Sequence, residues 1–436
     1  MRHEQFHYKT LEDIRSAMCK TGVVFPLSYD VSILNSPYDF AGSRAENRIL
    51  FQPMEGSDSE QDGAPGELTF RRYERFAQGG PGILWFEAVA IAHEARASKH
   101  QLFMNSKNLD GFKRLVSRIK TTCLRQNGFE PLVIIQAAHS GRYSKPEGLP
   151  APLIACNNPL FEKDGPIPGD RIITDAGLEA LPSLFGESAQ LAAKAGFDGV
   201  DIKACHRYLI NELLGAYKRD GIYGGSFENR IRLLMQSFDA ASAAAPKGFM
   251  LTTRLNVYDG FPYPYGFGVN QEKGLEPDLS EPLSLIRKLR EKYGLKLINI
   301  TAGNPYVNPH VTRPYSKGAY IPDEHPFEGV ARITDFARTV QKIFPDIAVA
   351  CSGLSYLRGF SAMLAAGMVE SGSAAFAGFG RLALAYPDFP ADIFAGRDLD
   401  SKKLCMTCGQ CSKLLRAGKN SGCVVRDNEV YKPIGD

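Results

Sequence analysis

The 436-residue sequence predicts a (β/α)8 barrel followed by a short cysteine-rich C-terminal segment. Three observations carry that prediction. Eight short apolar runs alternate with amphipathic helical patterns between residue 49 and about residue 395. Polar residues gather at the C-terminal end of nearly every run, where the mouth of such a barrel lies. Four of the nine cysteines then crowd into nineteen residues, from Cys405 to Cys423.

The candidate strands are 49–54 (ILFQPM), 82–91, 131–138 and 199–204, then 249–255, 297–303, 347–353 and 373–380. Most are continuously apolar rather than alternating, as expected of parallel strands covered on both faces. Helical periodicity fills 177–196, 227–245, 282–294, 327–344 and 356–367. Thr174-Asp175 and Ser226 stand where N-caps belong, and Gly196, Gly294 and Gly367 where C-caps belong. A doubly wound sheet is the structural alternative, but no GxGxxG follows an early strand. Residues 256–281 and 304–326 form two long connections rich in Pro, Gly and aromatics, which predicts an ordered cover over the barrel mouth. The division expected is a lead-in over 1–45, a barrel over 46–397 and a four-cysteine segment over 398–436.

Composition narrows the class. With 44% apolar and 23% charged residues the chain is neither disordered nor fibrous. A formal charge of +3 over this length argues against nucleic-acid binding. No run approaches the ~18 apolar residues of a membrane span, and the N-terminus lacks a secretory apolar region. The expectation is a cytoplasmic protein with neither a membrane nor a nucleic-acid partner.

The strand ends supply the candidate site. They hold Pro53, Met54 and Glu55, then Glu87, then Gln136 and His139, then Lys203, His206 and Tyr208. Arg254, Thr301, Gly353, Gly380 and Arg381 follow. Glycines ending the last two strands let backbone N–H groups approach a phosphate, commonly held there in barrels. Gln136 and Arg254 are expected as donors toward an electron-rich ring or an anion.

Several stretches are recognisable together: NRILFQPME, VIIQAAHSGR, GFDGVDIKACHRYLINELL with YGGSFENR, TTRLNVYDG, and GFGRLALAYPDFP. From about residue 30 to 395 the chain resembles the old yellow enzyme superfamily, the FMN-containing ene-reductases. The resemblance implies that Gln136 meets the flavin pyrimidine and Arg254 its N1–O2 edge. Pro53 and Met54 would lie along the ring, Glu55 near its N5 side, and Gly353, Gly380 and Arg381 on the phosphate. It also implies substrate-binding donors at Lys203 and His206 and a general acid at Tyr208. The family usually has His or Tyr where this chain has Lys203. An ammonium polarises a carbonyl with full charge but less directionality than an imidazole.

Cys405, Cys408, Cys411 and Cys423 follow the spacing C-x2-C-x2-C-x11-C. In a chain without a secretory signal this favours metal or iron–sulfur ligation over disulfides. Zinc sites usually pair two C-x2-C knuckles, so a [4Fe-4S] cluster leads, with zinc and free thiols as alternatives. The resemblance agrees: 2,4-dienoyl-CoA reductase, 2-enoate reductase and trimethylamine dehydrogenase carry such a cluster after the barrel.

The expected function is reduction of the C=C bond of an α,β-unsaturated carbonyl compound, bulky or aromatic, with NADH or NADPH as electron donor. The alternatives are amine oxidation of the trimethylamine dehydrogenase type, disfavoured by a cation at Lys203, or a flavin/iron–sulfur electron-transfer subunit. A separate electron-donor protein and homo-oligomerisation stay open.

Overall fold

A computed structural model describes residues 3–40 and 42–435; residues 1, 2 and 41 of the lead-in and residue 436 of the tail lie outside the described residues. A two-stranded antiparallel hairpin, β1 (Tyr38–Phe40) and β2 (Ser43–Ala45), precedes eight parallel strands. These are β3 (Ile49–Phe51), β4 (Ile83–Ala90), β5 (Leu132–Ala138) and β6 (Gly199–Ile202), then β7 (Met250–Asn256), β8 (Leu297–Thr301), β9 (Ala348–Cys351) and β10 (Phe376–Phe379). They pair in chain order and β10 closes on β3, which makes a complete barrel. All eight candidate strands are present. Most are shorter than their apolar runs, because the ladder stops where the chain turns out toward the mouth.

The barrel interior is layered. Leu50, Trp85, Ile134, Leu297, Ala350 and Phe376 form an apolar floor, with Tyr38 and Phe40 of the hairpin packed against it. Above it lies a polar layer with nearly every group satisfied. Asp201 accepts from Trp85 Nε1 at 2.7 Å, from Gln136 Nε2 at 2.6 Å and from the Arg254 N–H at 2.7 Å. Gln52, just after β3, reaches across the interior to β9 and β8, donating to the Cys351 carbonyl at 3.2 Å and accepting from Asn299 at 2.8 Å. Burial pushes the Asp201 carboxyl up to about 6 despite these donors.

The outer helices follow the sequence pattern with two differences. Helix Asp175–Ala195 is capped by the Thr174 hydroxyl and closes at Gly196, and Ser280–Tyr293 closes at Gly294; both glycines are left-handed. The 227–245 pattern is split into Phe227–Arg230 and Arg232–Ala244. Gly367 is not a C-cap: it lies inside helix Ser361–Glu370. A Cβ there would come within 1.7 Å of the Pro26 carbonyl oxygen, so close packing of the lead-in explains it.

The C-terminal segment packs back on the barrel. Asp427 accepts both Arg71 nitrogens at 2.7 and 2.8 Å and also pairs with Arg75, while the Ser421 N–H donates to the Gly56 carbonyl at 2.7 Å. None of the nine cysteines is joined in a disulfide. Among the described residues no helix is long and apolar enough to cross a membrane.

Candidate active site

The turn after β6 aims the chemistry. His206 and Arg207 both have left-handed backbones, at φ 65° and 61°. That conformation costs non-glycine residues roughly 1–2 kcal/mol each and is typical of functional turns. The surroundings hold it: Asn256 accepts from the His206 N–H at 3.3 Å, and Asn211 from the Arg207 N–H at 2.6 Å. The Arg207 guanidinium pairs with Asp259 at 3.4 Å. The turn brings Lys203, His206 and Tyr208 to one wall of a cleft of about 1020 Å3 at the barrel mouth.

On that wall Glu55 is the meeting point. Its Oε1 accepts the Tyr208 hydroxyl at 2.9 Å and the Lys203 ammonium at 3.3 Å. The ammonium lies 3.5 Å from the centroid of the Tyr208 ring. Burial and Glu55 raise the Tyr208 hydroxyl far above its ordinary value. His206 differs. Burial, then Arg254 and Lys203, hold its imidazole well below the usual histidine range, so it is neutral. Its Nε2 has no hydrogen-bond partner among the described residues.

The cleft runs from this wall along Pro53, Met54, Gln136 and Arg254 to Gly353, Gly380 and Arg381. Arg254 is buried with Nε unpartnered, a donor waiting for an acceptor. One N–H of the Gln136 amide is engaged by Asp201 at 2.6 Å, which leaves its second N–H and the acceptor Oε1 for a ligand. A Cβ at Gly380 would come within 2.7 Å of Met54 Sδ, so the glycine lets the Met54 side chain lie close against the strand end. Five cations line the cleft (Lys203, Arg254, Arg313, Arg381 and Arg416), against Glu55 as the single carboxylate in its lining. These features fit FMN, whose ring offers acceptors to Arg254 and a donor to Gln136 and whose phosphate requires cations.

Among the lining residues that sequence reasoning missed, four bear on the site's chemistry. Gln52 shares inward parity with Leu50 on β3, a signal that was readable. Tyr306 lies in the aromatic-rich loop, stacked on Tyr143 at 3.9 Å with its hydroxyl 3.4 Å from that of Tyr208. Arg313 and Arg416 had no local signal; they meet only because the C-terminal segment folds over the mouth, where Arg313 donates to Ser412 at 2.9 Å.

Cys405, Cys408, Cys411 and Cys423 line one cavity of about 360 Å3, with Arg381 in its wall. Backbone N–H groups of Thr407 and Arg426 donate to the sulfurs of Cys405 and Cys423, each at 3.3 Å. Among the described residues no group of three or more His, Cys, Asp or Glu side chains is arranged to hold a metal ion.

Comparison with known proteins gives a consistent picture. Residues 34–266 match the NADH:flavin oxidoreductase / NADH oxidase family. An NADPH dehydrogenase of Bacillus licheniformis is 30% identical over 276 residues, 62% of this chain and 73% of that one. One of Geobacillus thermodenitrificans is 34% identical over 213 residues, 48% of this chain and 59% of that one. Among solved structures, 2-naphthoyl-CoA reductase superposes with a TM-score of 0.72 at 19% identity, over 91% of this chain but 57% of that one. Histamine dehydrogenase from Rhizobium sp. 4-9 gives 0.68 at 18%, over 91% and 52%. The old yellow enzyme homologue of Zymomonas mobilis gives 0.63 at 21%, over 90% and 98%. The chain thus spans little more than half of the two longer solved relatives. It belongs to the NADH:flavin oxidoreductase / NADH oxidase family, within the old yellow enzyme superfamily, and is a flavin-dependent oxidoreductase.

Proposed function

We propose that the protein is an FMN-dependent ene-reductase acting on an α,β-unsaturated carbonyl compound, with a nicotinamide nucleotide as electron source. The observation that carries this reading is the convergence of Lys203, His206 and Tyr208 on one wall of a cleft whose far end gathers Gly353, Gly380 and Arg381. Gln136, Arg254, Pro53 and Met54 would hold the flavin ring, and Gly353, Gly380 and Arg381 its phosphate. When bound and reduced, FMN supplies the hydride. Lys203 and His206 hold the substrate oxygen, and their donors stabilise the charge that builds on it. Tyr208 breaks its contact with Glu55 and gives its proton to the α-carbon. Tyr306 and Tyr143 present stacked aromatic surface beside this wall, which suits a bulky or aromatic substrate.

We also read the tail, 398–436, as a [4Fe-4S]-binding segment distinct from the barrel at 46–397. A lone tetrahedral zinc with Zn–S of about 2.3 Å would draw four sulfurs tightly together. What supports the larger cluster is the C-x2-C-x2-C-x11-C spacing, the cavity that the four cysteines share and the two N–H···S contacts. A second reading, amine oxidation, gains from the Lys203–Glu55 pair. The carboxylate compensates the ammonium, so the repulsion expected from Lys203 alone is weakened.

Steady-state assays over enones and enoates, each with NADH, NADPH and dithionite, test the main reading. Saturated products are expected; amines consumed while every enone is left untouched would select the alternative.

A further inference from the structure

We propose that Glu55 is a positioning residue for the proton-donating end of the site rather than a contact of the flavin ring. This inference rests on the ene-reductase reading above. One oxygen, Glu55 Oε1, takes both the Tyr208 hydroxyl and the Lys203 ammonium. That one oxygen ties the carboxylate to the proton-donating end of the site.

The backbone around Glu55 is gripped from two sides. The Gly56 N–H donates to the buried Glu87 carboxylate at 2.7 Å, and the Gly56 carbonyl accepts from Ser421 of the C-terminal segment at 2.7 Å. Glu87 is itself fixed by Arg72 at 2.6 Å, which also pairs with Asp58. A Cβ at Gly56 would lie 2.1 Å from Arg72 Nη1, so glycine alone lets the loop cross that guanidinium. The Glu55 carboxylate is therefore delivered from a rigid frame that reaches the tail.

The arrangement gives Glu55 two tasks. At rest it keeps the Tyr208 proton in place and holds the Lys203 charge over the phenol ring. During turnover the Tyr208 O–H bond breaks and a C–H bond forms at the substrate α-carbon. The tyrosinate left behind faces Lys203, and it regains a proton from solvent. Groups facing Tyr208 are Lys203 and His206 from its own turn, Glu55 after β3, Tyr143 after β5, Arg254 on β7, and Tyr306 with Arg313 after β8. Glu55 is the only carboxylate among them, so after burial its charge is the largest contribution to the resistance of Tyr208 to ionisation.

Glu55→Gln keeps the hydrogen-bond acceptor and removes the charge; Glu55→Asp keeps the charge. In FMN-loaded protein, the alkaline limb of the pH profile for enone reduction should move down by about one unit or more in Glu55→Gln, and return toward wild type in Glu55→Asp. A Glu55→Gln profile that superposes on wild type overturns the proposal. Binding of 4-chlorophenol to the oxidised holoenzyme, followed by flavin absorbance, keeps the test independent of the ene-reductase reading. With the Glu55 charge gone the phenolate should bind about tenfold tighter. Equal affinity in both proteins also overturns it, whether or not any enone is reduced.

Discussion

Lys203 and Tyr208 share one acceptor and touch each other: both reach Glu55 Oε1, and the ammonium sits 3.5 Å from the phenol centroid. Six residues of chain thus bring a cation and a phenol to one acceptor. The left-handed pair His206–Arg207 makes this possible by folding the turn back on itself.

Lys203→Met should lower kcat/KM for an enone by roughly 10- to 100-fold, the loss of one charge-assisted donor to a developing oxyanion. Lys203→His, which restores the residue type usual in the family, should retain activity within about tenfold. Stopped-flow flavin reduction by NADPH, unchanged in both variants, would place the defect in the half-reaction that uses the enone.

The phosphate and ring ends of the cleft should separate by ligand choice. Arg381→Gln should weaken FMN about 10- to 100-fold and leave riboflavin affinity nearly unchanged. Arg254→Met should weaken both. Titration of apoprotein with each flavin, read by quenching of flavin fluorescence, checks this.

Much of this was legible in the sequence, for physical reasons that differ by element. Buried parallel strands must be apolar throughout, so 131–138 announced Leu132–Ala138 almost to the residue. Helix caps at Thr174 and Gly196 were equally plain. Lys203, His206 and Tyr208 were readable because a strand end places them together. The pairing of Glu55 with Lys203 and Tyr208 was not readable, because it is a contact over 148 and 153 positions that no local pattern encodes. The bond from Gln136 to Asp201 was not readable, because the two stand 65 positions apart and meet inside the barrel. Arg313 and Arg416 were invisible until the tail was seen to fold over the mouth.

His139 gives a pH prediction. Burial holds its imidazole down at about 4, and its Nδ1 accepts the Gly141 N–H at 3.1 Å. A histidine depressed in the folded state contributes stability present above its unfolded value of about 6.5 and lost as pH falls toward 4. Over that window wild type should lose roughly 3 kcal/mol more than His139→Asn, whose amide oxygen can still accept the N–H. Urea unfolding at pH 7, 6 and 5 reads the difference in slope.

Asp427 anchors the tail through a bidentate pair with Arg71 and a second pair with Arg75. Asp427→Ala should loosen residues 398–435 by about 1 kcal/mol, since the arginines are partly exposed. Limited trypsin digestion should then cut within the tail first, and iron content after anaerobic purification should fall. Cys411→Ser should abolish bound iron and leave flavin reduction by dithionite intact.

The most direct test of the central claim is a single turnover. Protein with its flavin reduced by dithionite under argon is mixed with 2-cyclohexenone in D2O, and the flavin absorbance and the product are followed together. The account predicts recovery of oxidised flavin at one equivalent of cyclohexanone carrying deuterium at the α-carbon, and slowing of that recovery by roughly 10-fold or more in Tyr208→Phe. Flavin that stays reduced with this and every other enone offered, in protein that folds and holds FMN, would contradict it.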